Sequence, residues 1–186
     1  MAKYCETTHE HPFPWTHLAE SLFRRYPNPF ATHVLSEDTL YREVLPGGRL
    51  YSRRFLTKTN KLPKWGEKVL VNVRKYVPLI EESTIDPKTK QIITYTRNVG
   101  LNTFMYAVEK VKYIPKGSET CLAFREAWIE SSFYGFRSAI ENYGLKRFKQ
   151  NCLKATEGFN YVLKMRANLR EIGDRMKAGV AVNTNE

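Results

Sequence analysis

The sequence predicts an α+β fold in which a curved antiparallel sheet of about seven strands wraps on one long C-terminal helix. Apolar and polar residues alternate in runs up to Ser131, turn-forming residues separate those runs, and the spacing becomes helical after Gly135. Strands first and a long helix last are the order of a layered α+β domain. Strands of about ten residues curl around what they cover, so we expect a cavity between sheet and helix that can take a small apolar ligand.

The chain begins with a strand and a short helix. Alternation from Lys3 to His11 predicts the strand, and Pro27 forbids continuation of the helix that follows it. The apolar residues at helical spacing in that helix are Trp15, Leu18, Leu22 and Phe23.

A β-hairpin is predicted next. Two long alternating runs between Val34 and Lys58 flank Pro46, Gly47 and Gly48, and glycine can adopt the positive φ that tight hairpins require. The following segment, 62–71, interrupts the alternation with apolar residues among lysines and a glutamate. We expect a lid-like loop or a brief helix there.

Alternation then resumes in four further runs, each bounded by turn residues. The runs are 73–85, 91–99, 103–114 and 120–131. The turns between them are 86–90, Gly100 with Asn102, and 115–118. Because short connections favour antiparallel neighbours, these runs complete a meander of about six or seven strands.

The last part of the chain has the spacing of one long amphipathic helix, which we expect to end near Leu169. Its apolar stripe is Phe148, Cys152, Ala155, Phe159, Val162 and Leu163. Periodicity is weak beyond Glu171. The sequence therefore predicts one domain, residues 1–170, and a flexible C-terminal tail, residues 171–186.

Composition limits the function. The chain has 186 residues, 42% of them hydrophobic, and a net charge of +11, which favours polyanions such as nucleic acid, an anionic membrane or a phosphorylated small molecule. There is no apolar run of 18 residues and no secretory or transit pattern at the start. Cys5, Cys121 and Cys152 lack metal-type spacing, so we interpret them as simple thiols.

Catalytic motifs are absent from the sequence, so we expect a protein that is not an enzyme and has no cofactor. His9 and His11 share one strand face and could bind a metal, but no third ligand is evident. We interpret them as surface or strand-end residues, and His17 as a helix surface residue.

Basic residues form a candidate anion site on the C-terminal helix. Arg147, Asn151 and Lys154 are four and three residues apart, which places them on one stripe beside the apolar stripe. An ordinary solvated helix edge is the alternative. The same alternative applies to the cations of the N-terminal segments, which are Arg24, Arg25, Lys58 and Lys61.

Trp65 stands out among the aromatic residues, because it lies in a lysine-bearing segment outside clear secondary structure. An exposed Trp there is costly unless it meets a membrane or a partner.

Two basic, proline-containing segments carry a family resemblance. Arg25 begins the sequence Arg-Tyr-Pro-Asn-Pro, which His33, Val34 and Leu35 follow; Leu56 begins the sequence Leu-x-Lys-x-x-Lys-Leu-Pro-x-Trp. With Arg147 to Asn151 and Gly158-Phe159, these motifs resemble the PRELI family of mitochondrial intermembrane-space lipid transfer proteins over nearly the whole chain. The stretches 53–56 and 94–98 look like its phosphatidic-acid-transferring branch.

The resemblance implies a START-like sheet wrapped on a helix, a lipid cavity, and a lid. The residues that it assigns to the phosphate and the pocket mouth are Arg25, Lys58, Lys61, Arg147, Asn151 and Lys154. Those that it assigns to the lid and to membrane docking are Leu62, Trp65, Val69 and Leu70. Arg147 stands where some members have lysine, which keeps the charge and changes the donor geometry.

The function that the resemblance implies is non-enzymatic shuttling of phosphatidic acid between the outer and inner mitochondrial membranes for cardiolipin synthesis. It also implies reversible docking on anionic membranes and a heterodimer with a small helical twin Cys-x9-Cys protein. A basic nucleic-acid-binding protein is the alternative, which the absence of a recognised motif disfavours. A hydrolase or isomerase in the same cavity is a third reading, disfavoured by the missing acid, base and nucleophile groupings.

Overall fold

The computed structural model describes residues 2–59, 76–99 and 104–183. The strands are β1 (Lys3–His11), β2 (Val34–Leu45), β3 (Arg49–Thr59), β4 (Tyr76–Asp86), β5 (Gln91–Asn98), β6 (Tyr106–Pro115) and β7 (Cys121–Glu130). The α-helices are α1 (Trp15–Ser21) and α2 (Arg137–Asn183), and two single-turn 3-10 helices, Leu22–Arg24 and Pro29–Ala31, connect α1 to β2. The predicted α+β fold, with seven strands and a long final helix, is confirmed.

All seven strands form one antiparallel sheet in the order β1-β7-β6-β5-β4-β3-β2. Strands β2 to β7 are a meander, because each pairs with its neighbour in the sequence. Strand β1 lies at the far edge, where Lys3 pairs with Ile129 and His11 with Cys121. The first and second strands of the chain are therefore the two edges of the sheet.

The hairpin between β2 and β3 turns where the sequence predicts. Gly47 and Gly48 have φ values of 87° and 81°, a region that side chains with a Cβ rarely adopt. The Gly48 N–H donates to the Leu45 carbonyl over 3.1 Å and closes the turn.

The core lies between the inner face of the sheet and the two helices. Alternate residues of each strand point inward, as the burial pattern of β7 illustrates from Cys121 to Ile129. The most buried side chains of the core include Leu18, Leu22, Ile92, Tyr113, Cys121 and Leu163. Helix α2 crosses this face, and α1 packs beside its second half.

The predicted end of the C-terminal helix is wrong. Helix α2 continues from Leu169 to Asn183, because it contains no proline and its glycines weaken a helix without stopping it. Loss of periodicity reflects loss of packing, since Leu169, Ile172 and Met176 are exposed by 63%, 53% and 68%. The division into a domain of residues 1–170 and a tail stays a prediction.

His17, expected on a helix surface, lies inside the protein, and so does His11, which ends strand β1 and for which a surface or strand-end position was expected. His11 is fully buried, with Nδ1 2.6 Å from Asn160 Oδ1, and His17 Nε2 lies 2.8 Å from the Leu163 carbonyl. Burial lowers the pKa of His11 to about 4, so its ring is neutral at pH 7. Both histidines tie the outer elements to α2.

The described residues meet neither the requirements of a metal site nor those of a membrane-spanning helix. No group of three or more His, Cys, Asp or Glu side chains there is arranged to hold a metal ion. The three cysteines are buried free thiols. None of the described helices has an apolar stretch long enough to cross a bilayer.

Candidate binding cavity

A cavity of about 250 Å³ lies between the inner face of the sheet and α2. Apolar side chains from both layers form most of its wall, among them Leu56, Leu79, Val111, Ile129, Phe148 and Phe159. The expected hollow between sheet and helix is therefore present. In two places a group of charged side chains interrupts this wall, and Arg147 of α2 also lines it.

The first charged place is a buried network at the β3-β4 side, which we call the Arg25 cluster: Arg25, Glu37, Arg54, Lys58 and Glu81. Glu81 bonds to Arg25 through one carboxylate oxygen and to Arg54 through the other, at 2.6 Å from Arg54 Nη2. Arg54 Nη1 donates to Glu37 over 2.6 Å. Arg25, Lys58 and Glu81 also line the cavity, whereas Arg54 lies behind them.

Two arginines hold Glu81 in its charged form. Burial alone raises the pKa of Glu81, but the adjacent Arg25 and Arg54 outweigh it, and its pKa is lower than that of an ordinary glutamate. Three cations face two carboxylates in the Arg25 cluster, so one positive charge is in excess. Arg25 Nε is buried and finds no acceptor in the described part of the chain.

Arg25 is held in place by the turn that follows it. Asn28 Nδ2 donates to the Arg25 carbonyl over 2.7 Å, and Asn28 Oδ1 accepts from the Phe30 N–H over 2.9 Å. Asn28 thereby caps the second 3-10 helix. Within the Arg-Tyr-Pro-Asn-Pro sequence, Asn28 thus holds the backbone of Arg25 in position.

Gly158 of α2 makes room for that asparagine. A Cβ on Gly158 would lie 2.5 Å from Asn28 Oδ1 and 3.0 Å from its Cγ, closer than side chains approach. The two hydrogen bonds of Asn28 leave it little freedom to move. The two motifs, far apart in the sequence, are therefore in contact.

Replacing Gly158 with alanine should lower the free energy of unfolding by about 1 to 2 kcal/mol, since overpacking costs more than the helix gains from alanine. Gly173→Ala is the matched control, because nothing lies within 4 Å of its Cβ, and it should stabilise by about 0.5 to 1 kcal/mol. Urea unfolding measures both changes. Equal effects of the two substitutions would contradict the close contact at Asn28.

The structure brings together some of the residues predicted for the site. Lys58 at the end of β3 and Arg147 and Asn151 of α2 line the same cavity as Arg25. Lys154 is exposed and is not among the lining residues, so its role stays a prediction. Five predicted residues lie outside the described residues: Lys61, Leu62, Trp65, Val69 and Leu70.

The second charged place is the pair formed by Arg125 of β7 and Glu109 of β6. Arg125 Nη1 donates to Glu109 Oε1 over 2.9 Å, and both residues line the cavity. Arg125 is 5% exposed. Its Nε, like that of Arg25, is buried without an acceptor among the described residues.

Sequence reasoning missed Glu81, Arg54, Arg125 and Glu109 as site residues. A signal was available, because each charge falls on the inward face of its strand. Arg125, for example, continues the buried series Cys121, Ala123, Ala127 and Ile129. A charge at an inward position of a period-two run marks a buried ionic site.

The cavity suits binding better than catalysis. Cys152 lines it, but burial raises the pKa of this thiol to about 11, so that it is protonated and a poor nucleophile at neutral pH. Tyr113 also has a raised pKa because of burial. What the arrangement offers is an apolar wall with a cationic end.

Comparisons with known proteins place the chain in a family. The model of the PRELI-like family matches residues 17–169. The chain is 41% identical over 166 residues to PRELI domain-containing protein 1, mitochondrial, of Gallus gallus, covering 88% of this chain and 77% of that protein. It is 31% identical over 161 residues to Protein UPS1, mitochondrial, of Saccharomyces cerevisiae, covering 86% and 91%.

Solved structures with the same fold have little sequence in common with the chain. The START superfamily protein from Mycobacterium smegmatis has a TM-score of 0.56 at 13% identity, covering 87% of this chain and 97% of that chain. The lipid transfer and protein localization domain of human StarD13 has a TM-score of 0.56 at 9% identity, covering 87% and 77%. The Zhui aromatase/cyclase from Streptomcyes sp. R1128 has a TM-score of 0.61 at 10% identity, covering 90% of this chain and 96% of that chain. The fold is thus START-like and serves binding proteins and enzymes alike.

Proposed function

The chain belongs to the PRELI-like family, and from this premise we propose that it carries phosphatidic acid between membranes without changing it chemically. The proposal rests on one observation, an apolar cavity that has cationic side chains at one end. An anionic head group can meet Arg25 and Lys58 there while the hydrocarbon stays away from water.

The physical need for a carrier is large. Moving a two-chain lipid into water exposes about 30 methylenes at about 0.8 kcal/mol each, hence on the order of 25 kcal/mol. At about 250 Å³ the cavity is just below the usual range for small-molecule pockets. It suits the phosphate and glycerol, and we propose that it widens to shelter the acyl chains.

The positive charge of the cavity wall indicates which lipid head group the protein binds. Phosphatidic acid carries a phosphomonoester with between about one and two negative charges, and arginine and lysine bind such groups through charge-assisted hydrogen bonds. The Arg25 cluster has one positive charge in excess, and Arg147 adds a cation to the same cavity wall. A choline head group would bring its own positive charge and leave that excess uncompensated.

We place the protein in the mitochondrial intermembrane space, in line with the mitochondrial names of its relatives. There it would move phosphatidic acid from the outer to the inner membrane for cardiolipin synthesis. The net charge of +11 favours reversible docking on anionic membranes, at roughly 1 kcal/mol per nearby basic residue. The predicted lid residues, Trp65 among them, are proposed to insert at the interface.

The family resemblance also leads us to propose a small helical twin Cys-x9-Cys protein as a heterodimer partner. The exposed apolar residues Leu169, Ile172 and Met176 of α2 are consistent with a chain that needs a partner, because such surfaces are costly in water. Co-expression with such a protein should raise the soluble yield.

Lipid analysis tests the proposed function. Mass spectrometry of the purified protein should detect a bound glycerophospholipid, and fluorescent phosphatidic acid should move between vesicles without chemical change. Phosphatidylcholine is the control and should move far more slowly. Steep salt-dependent RNA binding without any bound lipid would instead favour a nucleic-acid-binding protein.

A further inference from the structure

The Arg125-Glu109 pair is a second polar site in the cavity, separate from the Arg25 cluster. Along the inner face of the sheet, Glu81 pairs with Thr96 and Thr96 pairs with Glu109. Glu109 is therefore two strands away from Glu81, about 9.5 Å at the usual strand spacing. Thr96 lines the cavity between them. One elongated ligand can reach both sites.

Arg125 has a hydrogen-bond donor for which the described residues supply no acceptor. Its Nη1 is bonded to Glu109, whereas its buried Nε finds no acceptor within the described ranges. A buried donor without a partner costs free energy, and a group on a guanidinium costs more than a neutral one. The arrangement favours a ligand atom that accepts this hydrogen bond.

The surroundings of Arg125 give this second site no net charge. Arg125 and Glu109 cancel, and the titratable groups that face Arg125 are neutral at pH 7. Burial lowers the pKa of His9, and it lowers the pKa of His11 to about 4. Burial also raises the pKa of Tyr113, and it raises the pKa of the Cys152 thiol to about 11. The Arg25 cluster, by contrast, has a positive excess. A neutral acceptor therefore suits the second site, and an anion suits the first.

From these contacts we infer that Arg125 donates a hydrogen bond to an ester carbonyl of a diacyl glycerophospholipid whose phosphate lies at the Arg25 cluster. The inference rests on the proposed function and adds to it a requirement for the ester linkage. An ester carbonyl is a neutral acceptor, and the glycerol joins it to the phosphate through a few bonds. Arg125 would thereby fix the depth at which the lipid sits.

The test compares diester with diether phosphatidic acid of equal chain length, which differ in the carbonyl oxygens. Each lipid displaces a fluorescent phosphatidic acid from the full chain, and the displacement gives its affinity. We expect the diester to bind about tenfold more tightly, because a hydrogen bond to a charged donor contributes about 1.5 kcal/mol. Equal affinities of the wild-type chain for both lipids overturn the inference and leave the proposed carrier function intact.

Variants identify the donor. Arg125→Met, a side chain of similar shape without a hydrogen-bond donor, should bind both lipids equally and still prefer phosphatidic acid over phosphatidylcholine, a preference that a general folding defect would reduce. Arg97→Met is the matched control, because the Arg97 side chain is 47% exposed and paired with Glu82, and it should keep the tenfold difference. A tenfold difference that persists in Arg125→Met overturns the role of Arg125. If neither lipid binds the wild-type chain, the proposed function fails together with the inference.

Discussion

Replacing Glu81 with glutamine should lower the free energy of unfolding by about 3 to 5 kcal/mol. Glu81 is 3% exposed and is the only carboxylate among the described residues that bonds to both Arg25 and Arg54. Without its charge, two buried guanidinium groups keep only Glu37 as an anionic partner. Chemical denaturation monitored by circular dichroism measures the change.

Glu82→Gln is the matched control, since Glu82 is the next residue of β4 and lies on the opposite face of the sheet. It also bonds to arginines, Arg53 and Arg97, but these side chains are about half exposed. Exposed ion pairs contribute at most about 1 kcal/mol. Similar losses in the two variants would show that the network around Glu81 is not buried in solution.

The Glu81 variant should also change the acid response. The pKa of Glu81 in the folded protein is below the ordinary value of 4.5, so its contribution to stability is complete above pH 4.5 and falls as the pH decreases below that value. Glu81→Gln removes this contribution at every pH. Its unfolding free energy should therefore depend less on pH in that acidic range than that of the wild-type chain.

Replacing Arg25 with glutamine should slow the transfer of phosphatidic acid between vesicles by about ten- to a hundredfold. A hydrogen bond between charged partners contributes about 1.5 to 3 kcal/mol, and the loss of Arg25 also leaves Glu81 to repel the phosphate. The fold is expected to tolerate the change better than Glu81→Gln, because Glu81 keeps both of its bonds to Arg54.

Arg24→Gln controls for the loss of one positive charge, because Arg24 is the preceding residue and is exposed. Its transfer rate should stay within about twofold of the wild-type rate, as expected for a single screened surface charge. Rates are compared per folded molecule, with circular dichroism as the measure of folding. If Arg25→Gln transferred phosphatidic acid at the wild-type rate, the Arg25 cluster would be ruled out as the head-group site.

The fold was largely predictable because its signals are local. Alternation and turn residues predict β2 to β7, and the Gly47-Gly48 turn is where its sequence indicates. The end of α2 was not predictable in this way, since hydrophobic periodicity reports packing and the helix outlasts its contacts. Nor does local alternation specify that β1 joins β7 at the edge of the sheet.

The candidate site was predictable only in part. Motifs identify Arg25, Lys58, Arg147 and Asn151, because a resemblance transfers residues that lie in recognisable stretches. The partners of these cations are less visible. Glu81 and Arg125 come from the generic strands of the meander, and their importance depends on which face of the sheet they occupy and on what they meet across it.

The position of β1 has a consequence for how the protein is made. Its hydrogen-bonding partner is β7, from Lys3 opposite Ile129 to His11 opposite Cys121. Strand β1 precedes the other strands in the chain, so it is synthesised before them and must wait until almost the entire meander has left the ribosome. Pairings so distant in the sequence form slowly and leave strand edges open to other chains. Strand β1 is thus the strand of the sheet that stays unpaired longest during synthesis.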